Sequence, residues 1–209
     1  MRPILCLFLA FFLACNPNSQ PVDTNSGIPV TLTEGTNMAA ALSPDQQMLA
    51  IDLQGTLWLM PSNGGDAIPI TDSRSDCHEP AWSPDGAWLA FQSYRDGHYH
   101  IWIIDKEGQG LEQLTFGPHD DREPHWSADG QQIVFASDRN GNYDIWALNR
   151  NTKVLKALTT ANSNEYYPAY SPRGDKIAYI SDQDEAAGIY IMNPDGSGKT
   201  QVLASDLEL

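Results

Sequence analysis

Carboxylates recur at a fixed interval in three short segments of this 209-residue sequence: Asp76-Cys77-His78-Glu79, Asp120-Asp121-Arg122-Glu123 and Asn164-Glu165-Tyr166-Tyr167, each beginning 44 residues after the last. If the fold gathers these loops at one end of a common axis, Asp76, Glu79, Asp120, Asp121 and Glu123 converge there. Hard carboxylate oxygens brought together in that way suit Ca2+, or the basic part of a protein or peptide partner. The simpler reading is that Glu79 and Glu123, which precede Pro80 and Pro124, only mark the entry of a strand.

The other constellations that could do chemistry are weaker. Gly196-Ser197-Gly198-Lys199-Thr200 ends like a phosphate-binding loop, but Asn193 stands where the first Gly belongs. The residues after it, Gln201 to Ala204, read as a strand where that motif needs a helix. His98-Tyr99-His100 has the spacing of a metal-ligand pair, yet it lies in an apolar strand with no further ligands following in the expected pattern. No Gly-x-Ser-x-Gly nucleophile elbow occurs. The sequence therefore offers no catalytic residue, no cofactor site and no metal set beyond the acidic loops.

The elements that must position those loops are repeated. Trp58, Trp102, Trp146 and Tyr190 follow one another at intervals of 44 residues, and Ile51, Phe91, Phe135 and Tyr179 hold a second slot. Ser43, Ser83, Ser127 and Ser171 hold a third, with the first copy four residues short between Ile51 and Trp58. In the copy from Glu123 to Thr159 the pattern reads as four strands: one ending at Trp126, then Ile133–Ser137, Tyr143–Asn149 and Leu155–Thr159. A period of roughly 40 to 45 residues with four strands is the signature of a propeller blade.

Turn chemistry supports this assignment. Ser83-Pro84-Asp85-Gly86 suits a type I turn, and Ser43-Pro44-Asp45-Gln46, Ser127-Ala128-Asp129-Gly130 and Ser171-Pro172-Arg173-Gly174 keep most of the signal. The third strands, such as Ile101-Trp102-Ile103-Ile104 and Ile145-Trp146-Ala147-Leu148, are apolar without alternation. A strand of an antiparallel sheet with that pattern must be covered on both faces, as blades stacked around an axis are. Trp146 is accordingly expected to be buried between blades. The expected fold is all-β, with four-stranded antiparallel blades at 37–73, 79–116, 123–160 and 167–205 within a propeller region 29–209.

The blade sequence resembles the TolB-type, WD-repeat-like β-propeller of exported bacterial proteins. The residues that carry the likeness are the Ser-Pro-Asp-Gly turns, Ser137-Asp138-Arg139, Ile145-Trp146 and Ile191-Met192-Asn193-Pro194-Asp195-Gly196-Ser197-Gly198. The resemblance runs from about Val30 to Ala204. It implies a six-bladed type of ring, of which four blades in an open arc are present here. It leaves two functions open: a non-catalytic binding or scaffold module of the cell envelope, or the propeller portion of an exported hydrolase (an amidohydrolase or a prolyl-oligopeptidase-type peptidase) whose catalytic domain is absent from this chain. TolB-like proteins carry an α/β domain before the propeller, whereas here a tether leads directly into Pro29-Val30-Thr31-Leu32-Thr33. The stretch from Asp52-Leu53-Gln54-Gly55 to Pro61-Ser62-Asn63-Gly64-Gly65 is similar to the N-terminal propeller of exported amidohydrolases. Val30–Thr33 also matches a fourth-strand slot, although the last repeat has its own at Gln201–Leu203.

Residues 1–15 have the form of a signal peptide, with Arg2 before an apolar run from Ile4 to Ala14 that is too short to span a bilayer. Phe12-Leu13-Ala14-Cys15 resembles a lipobox, which makes Cys15 a candidate for lipidation; the alternative is an ordinary cleaved signal with Cys15 incidental. Residues 16–28 are polar and rich in Asn, Pro and Ser, the composition of a flexible tether. Asn16 after the cysteine resembles lipoproteins of the outer membrane, so the expected location is the periplasm, anchored through lipid. If Cys15 is acylated, Cys77 is a free thiol.

With 27 acidic and 12 basic residues the net charge is −15. That charge argues against nucleic acid and against electrostatic adhesion to anionic lipid, because both call for a basic footprint.

Overall fold

The turns that the sequence repeats are built the same way each time in the computed structural model, which describes residues 38–183 and 187–204. Ser43 Oγ donates to Asp45 Oδ1 (2.6 Å) and accepts from the Met48 N–H (2.9 Å). Ser127 does the same with Asp129 (2.6 Å) and the Gln132 N–H (2.9 Å). In the fourth copy Arg173 occupies the Asp slot, and Ser171 turns to Asp175 instead, at 2.7 Å. The last turn residue is left-handed, which Gly86, Gly130 and Gly174 adopt without a Cβ penalty and Gln46 adopts at φ 61°.

Among the described residues these turns generate four antiparallel sheets, each of four strands in sequential order. The first holds β1 (Ala40–Leu42), β2 (Met48–Leu53), β3 (Thr56–Pro61) and β4 (Ile68–Pro69). The second holds β5 (Cys77–Trp82), β6 (Trp88–Tyr94), β7 (Tyr99–Asp105) and β8 (Glu112–Gln113). The third holds β9 (Asp121–Trp126), β10 (Gln132–Ser137), β11 (Asp144–Asn149) and β12 (Leu155–Ala157), and the fourth β13 (Glu165–Tyr170), β14 (Ile177–Ser181), β15 (Gly188–Met192) and β16 (Thr200–Ala204). The two apolar slots of the repeat are cross-strand neighbours: Ile51 with Trp58, Phe91 with Trp102, Phe135 with Trp146, Tyr179 with Tyr190. The fourth strand of the third sheet ends two residues before the expected Thr159. Thr159 still serves the sheet, because its Oγ1 accepts the Ile145 N–H at 2.7 Å, as Thr115 does for Ile101 and Thr71 for Leu57. Gly196 to Thr200 forms the turn and entry of β16, so the phosphate-loop look-alike leads into a strand.

First strands pack on first strands from sheet to sheet, β1 on β5, β5 on β9 and β9 on β13, whereas the fourth strands β4, β8, β12 and β16 do not touch one another. The first strands therefore line the axis and the fourth strands the perimeter. Among the described residues three separate cores lie between consecutive sheets. Leu89, Phe91 and Ile104 of the second sheet meet Ala50, Leu57 and Leu59 of the first. Ile133, Phe135 and Leu148 meet Ala90, Ile101 and Ile103, and Ile177, Tyr179, Tyr190 and Met192 meet Val134, Ala136, Ile145 and Ala147. Alternate residues of β7 and β11 thus face opposite neighbours, which is why neither strand alternates in polarity. Among the described residues the fourth sheet makes no contact with the first, and the arc is open.

Trp146 lies between adjacent sheets as expected, but it is only partly buried there. Its ring packs at the edge of the core between the second and third sheets. The outer part is covered by the guanidinium of Arg139, 4.7 Å from the ring centroid, and the residue is only half-buried. Val30–Thr33, Cys15 and Ser205–Leu209 lie outside the described residues.

Candidate functional site

One bulge is repeated in the three inner strands β5, β9 and β13, and it sets where the acidic loops point. Pairing with the second strand slips between His78 and Ala81, between Arg122 and His125, and between Tyr166 and Ala169. At each slip the residue before proline takes a left-handed backbone: Glu79 (φ 53°), Glu123 (φ 58°) and Tyr167 (φ 51°). For non-glycine residues that conformation carries strain and needs support from outside. The Glu79 N–H donates to Asp52 Oδ2 (3.0 Å) and the Glu123 N–H to Gln92 Oε1 (2.8 Å), both on the second strand of the preceding sheet. The matching residue of the third sheet is Ala136, whose methyl side chain offers no acceptor. The Tyr167 N–H instead donates to Glu123 Oε2 at 2.6 Å.

The five acidic candidates therefore separate. Asp121 points into the third sheet, fully buried, with Oδ1 2.6 Å from the Arg139 guanidinium and Oδ2 3.6 Å from His100. Cys77 and Glu165 fill the same buried slot in their own sheets. Burial pushes the Cys77 thiol up, while Glu165 accepts from Ser163 (2.6 Å), Ser181 (3.1 Å) and Thr159 (3.1 Å). Asp120 is a tie between sheets, accepting the Tyr99 N–H (3.0 Å) and pairing with Arg122 (2.7 Å). Asp76 pairs with His78 at 3.0 Å. Only Glu79 and Glu123 face the axis, where they line a cavity of about 230 Å3 with the prolines that follow them, His125 and Tyr167. Among the described residues no group of three or more His, Cys, Asp or Glu is placed to hold a metal ion, so the converging Ca2+ set does not form there. His98 and His100 likewise turn to different carboxylates, Asp120 and Asp121.

The axial carboxyls are electrostatically unusual. Burial pushes Glu123 up to about 7, and the Glu79 carboxylate adds to that rise against the opposing Tyr167 N–H bond. Glu79 is raised too, first by burial and then by Asp52. His125 is held down by burial. Neither Glu79 nor Glu123 belongs to an ion pair among the described residues. At the same end of the sheets Arg122 lies over Tyr99, 4.2 Å from its centroid, the Tyr94 ring is tilted against Tyr99 (centroids 5.1 Å apart), and the Tyr143 ring is tilted against Tyr166 (5.0 Å). The axis thus presents two under-compensated acids with an aromatic rim, an arrangement that attracts a cation carried on an otherwise apolar segment.

The support for the bulges was the part hidden from sequence reasoning. Asp52, Gln92 and Ala136 occupy one slot of the repeat, and the change from acceptor to methyl is a readable signal once the bulge is known.

Comparison with known proteins gives the same architecture. A protein assigned as TolB from Agrobacterium tumefaciens superposes with a TM-score of 0.67 at 21% identity, over 78% of this chain and 79% of its own. TolB from Acinetobacter baumannii gives 0.70 at 21% identity, over 81% of this chain and 44% of its own. A puromycin hydrolase gives 0.63 at 15% identity, over 81% of this chain and 31% of its own. This chain therefore spans less than half the length of the latter two, and at such identities the likeness is one of fold. The sequence itself matches the TolB beta propeller domain over residues 65–208, a stretch holding the second, third and fourth sheets with all three bulges. On that match the chain belongs to the TolB beta propeller domain family.

Proposed function

We propose that this protein is a non-catalytic binding propeller of the bacterial cell envelope, and that Glu79 and Glu123 hold a Lys or Arg side chain of a protein partner lying across the inner strands. The observation that carries the reading is the pair of axial carboxyls that belong to no ion pair among the described residues, fixed by in-register bulges and one of them raised to about 7. Family membership supports a protein partner, and the net charge of −15 favours a basic one.

The test is the binding of labelled peptides containing a single Lys or Arg among apolar residues, followed by fluorescence anisotropy. Charge-assisted hydrogen bonds contribute about 1.5–3 kcal/mol, so Glu79→Gln/Glu123→Gln is expected to weaken binding by about ten- to a hundredfold. The pH dependence has a definite sign. Glu123 is neutral below its raised value and charged above it, so affinity rises from pH 6 to pH 8. Equal affinity in wild type and double variant, or tighter binding at pH 6, would sink the proposal.

The envelope location rests on residues outside the described structure: the apolar run Ile4–Ala14, the Phe12-Leu13-Ala14-Cys15 segment, and the polar stretch after it. The expected outcome is incorporation of a palmitate analogue in wild type and none in Cys15→Ala. An unlabelled wild type contradicts the lipid anchor.

A second reading is favoured by the likeness to a puromycin hydrolase, in which the propeller is part of a longer enzyme. A reading frame that continues past codon 209 into a catalytic domain would select it. A stop codon there would select the binding module.

A further inference from the structure

The interface between the third and fourth sheets is packed unlike the one before it, and the difference falls on four slots of the repeat. Between the second and third sheets, the end that carries the Ser turns holds Pro84, Trp88, Trp126 and Arg150. The Arg150 guanidinium lies 4.3 Å from the Trp88 ring centroid and 5.5 Å from that of Trp126. Forty-four residues later the same slots hold Ala128, Gln132, Tyr170 and Pro194, each smaller than its counterpart. A cavity of about 190 Å3 lies there, lined by these four residues together with Asp129 and Arg173.

Its walls carry polar groups that lack the partners their counterparts have. Trp82 and Trp126 each donate to a carbonyl of the preceding sheet. Tyr170, in the same slot and 7% exposed, has a buried hydroxyl with no hydrogen bond among the described residues. A cation is missing as well. The Asp85 carboxyl is held below the usual range first by Ser83 and then by the Ala87 N–H, and Arg150 of the next sheet adds to this. For Asp45 the Ser43 hydroxyl comes first, and Lys106 of the next sheet adds to it. Pro194 stands in the slot of Lys106 and Arg150. Asp129 is lowered by hydrogen bonds, from Ser127 and then from the Gln131 N–H, and belongs to no ion pair among the described residues. Arg173, an exposed residue of the lining, takes the slot that is Asp45, Asp85 and Asp129 in the other turns.

We propose that this cavity binds a small guanidino acid, a free molecule with a guanidinium at one end and a carboxylate at the other. The guanidinium takes the place that Arg150 fills one interface earlier, beside Asp129 and Tyr170, and the carboxylate meets Arg173. A cation without a carboxylate would face Arg173 unopposed, and an apolar molecule would desolvate Asp129 and Arg173 without pairing either. The cavity is smaller than the roughly 300–1,000 Å3 that takes drug-sized ligands, so its occupant is a single small molecule. It shares no lining residue with the axial cavity of Glu79 and Glu123, and the two sites stand or fall separately.

The experiment is calorimetric titration of the full chain with L-arginine, with agmatine, which lacks the carboxylate, and with citrulline, which lacks the positive guanidinium. L-Arginine is expected to saturate one site per chain, and the other two to bind at least about tenfold more weakly. Asp129→Asn is expected to weaken L-arginine binding about ten- to a hundredfold, the loss of one charge-assisted hydrogen bond. Its melt should stay near that of wild type, because Asp129 is exposed. Pro194→Arg places a guanidinium of the chain's own in the cavity, and is expected to abolish binding and raise the melting temperature. Should that variant fail to fold, Asp129→Asn and the two analogues decide. The proposal is overturned by no saturable binding of L-arginine up to about 10 mM, by equal affinity in Asp129→Asn, by binding undiminished in a folded Pro194→Arg, or by agmatine or citrulline binding as tightly. A cavity filled by other residues of the chain gives no binding, and overturns it too.

Discussion

Asp121→Asn is expected to destabilise the protein by about 3–5 kcal/mol, the cost of removing one partner from a buried ion pair. Asp121 is fully buried and Arg139 is 11% exposed, with 2.6 Å between the carboxylate oxygen and the guanidinium. The same guanidinium donates to Ser137 Oγ at 2.9 Å and covers the Trp146 ring, so the pair ties the first, second and third strands of one sheet together. Asparagine keeps the shape and loses the charge, leaving Arg139 desolvated without a counter-ion. A domain of this size has roughly 5–15 kcal/mol of stability in all, so the variant should unfold at much lower urea. Asp121→Asn combined with Arg139→Met should recover a large part of the loss, because no buried charge is then left alone. A loss below about 1 kcal/mol for the single variant would mean that the pair behaves as a solvated surface bridge.

Trp126→Ala should cost about 3–5 kcal/mol, and Trp146→Ala clearly less. Trp126 is 3% exposed in the core between the second and third sheets, and its Nε1–H donates to the Ala81 carbonyl of the preceding sheet at 3.1 Å. Trp82 makes the same bond to the Ala41 carbonyl at 3.0 Å, so the indole is a repeated link between sheets. Its removal takes away apolar burial and leaves a carbonyl without its donor. Trp146 is half-buried under Arg139, and its truncation exposes surface that water already partly reaches. Chemical denaturation of the two variants side by side decides the matter. An equal loss, or a larger one for Trp146→Ala, would contradict the placement of the two rings.

The fold was legible because its determinants repeat. The Ser turns, the Phe/Trp cross-strand slots and the unalternating third strands each recur at one interval, and a property that must be met in every blade is written in every blade. The site was less legible because it lies where copies differ and where the backbone breaks its own alternation. Asp120 and Asp121 are adjacent and both acidic, yet strand geometry sends the first to a tie between sheets and the second into a buried pair. Glu79 and Glu123 reach the axis only because a bulge inserts a left-handed residue before each proline. Spacing alone could not distinguish the five carboxylates, since orientation depends on pairing register. Trp146 lies between sheets as its apolar run implies, yet is only half-buried for a related reason: such a run reports that both faces of a strand are covered, not how far each ring extends past the covering sheet.

The most direct test of the central claim is amide hydrogen exchange at pH 8 on the protein bound to a Lys-containing apolar peptide. Binding at the axis predicts protection at the bulges and inner strands, Glu79 to Trp82, Glu123 to Trp126 and Glu165 to Tyr170, and its loss in Glu79→Gln/Glu123→Gln. Protection confined to the perimeter strands β8 and β12, or an inner-strand pattern unchanged in the double variant, would contradict it.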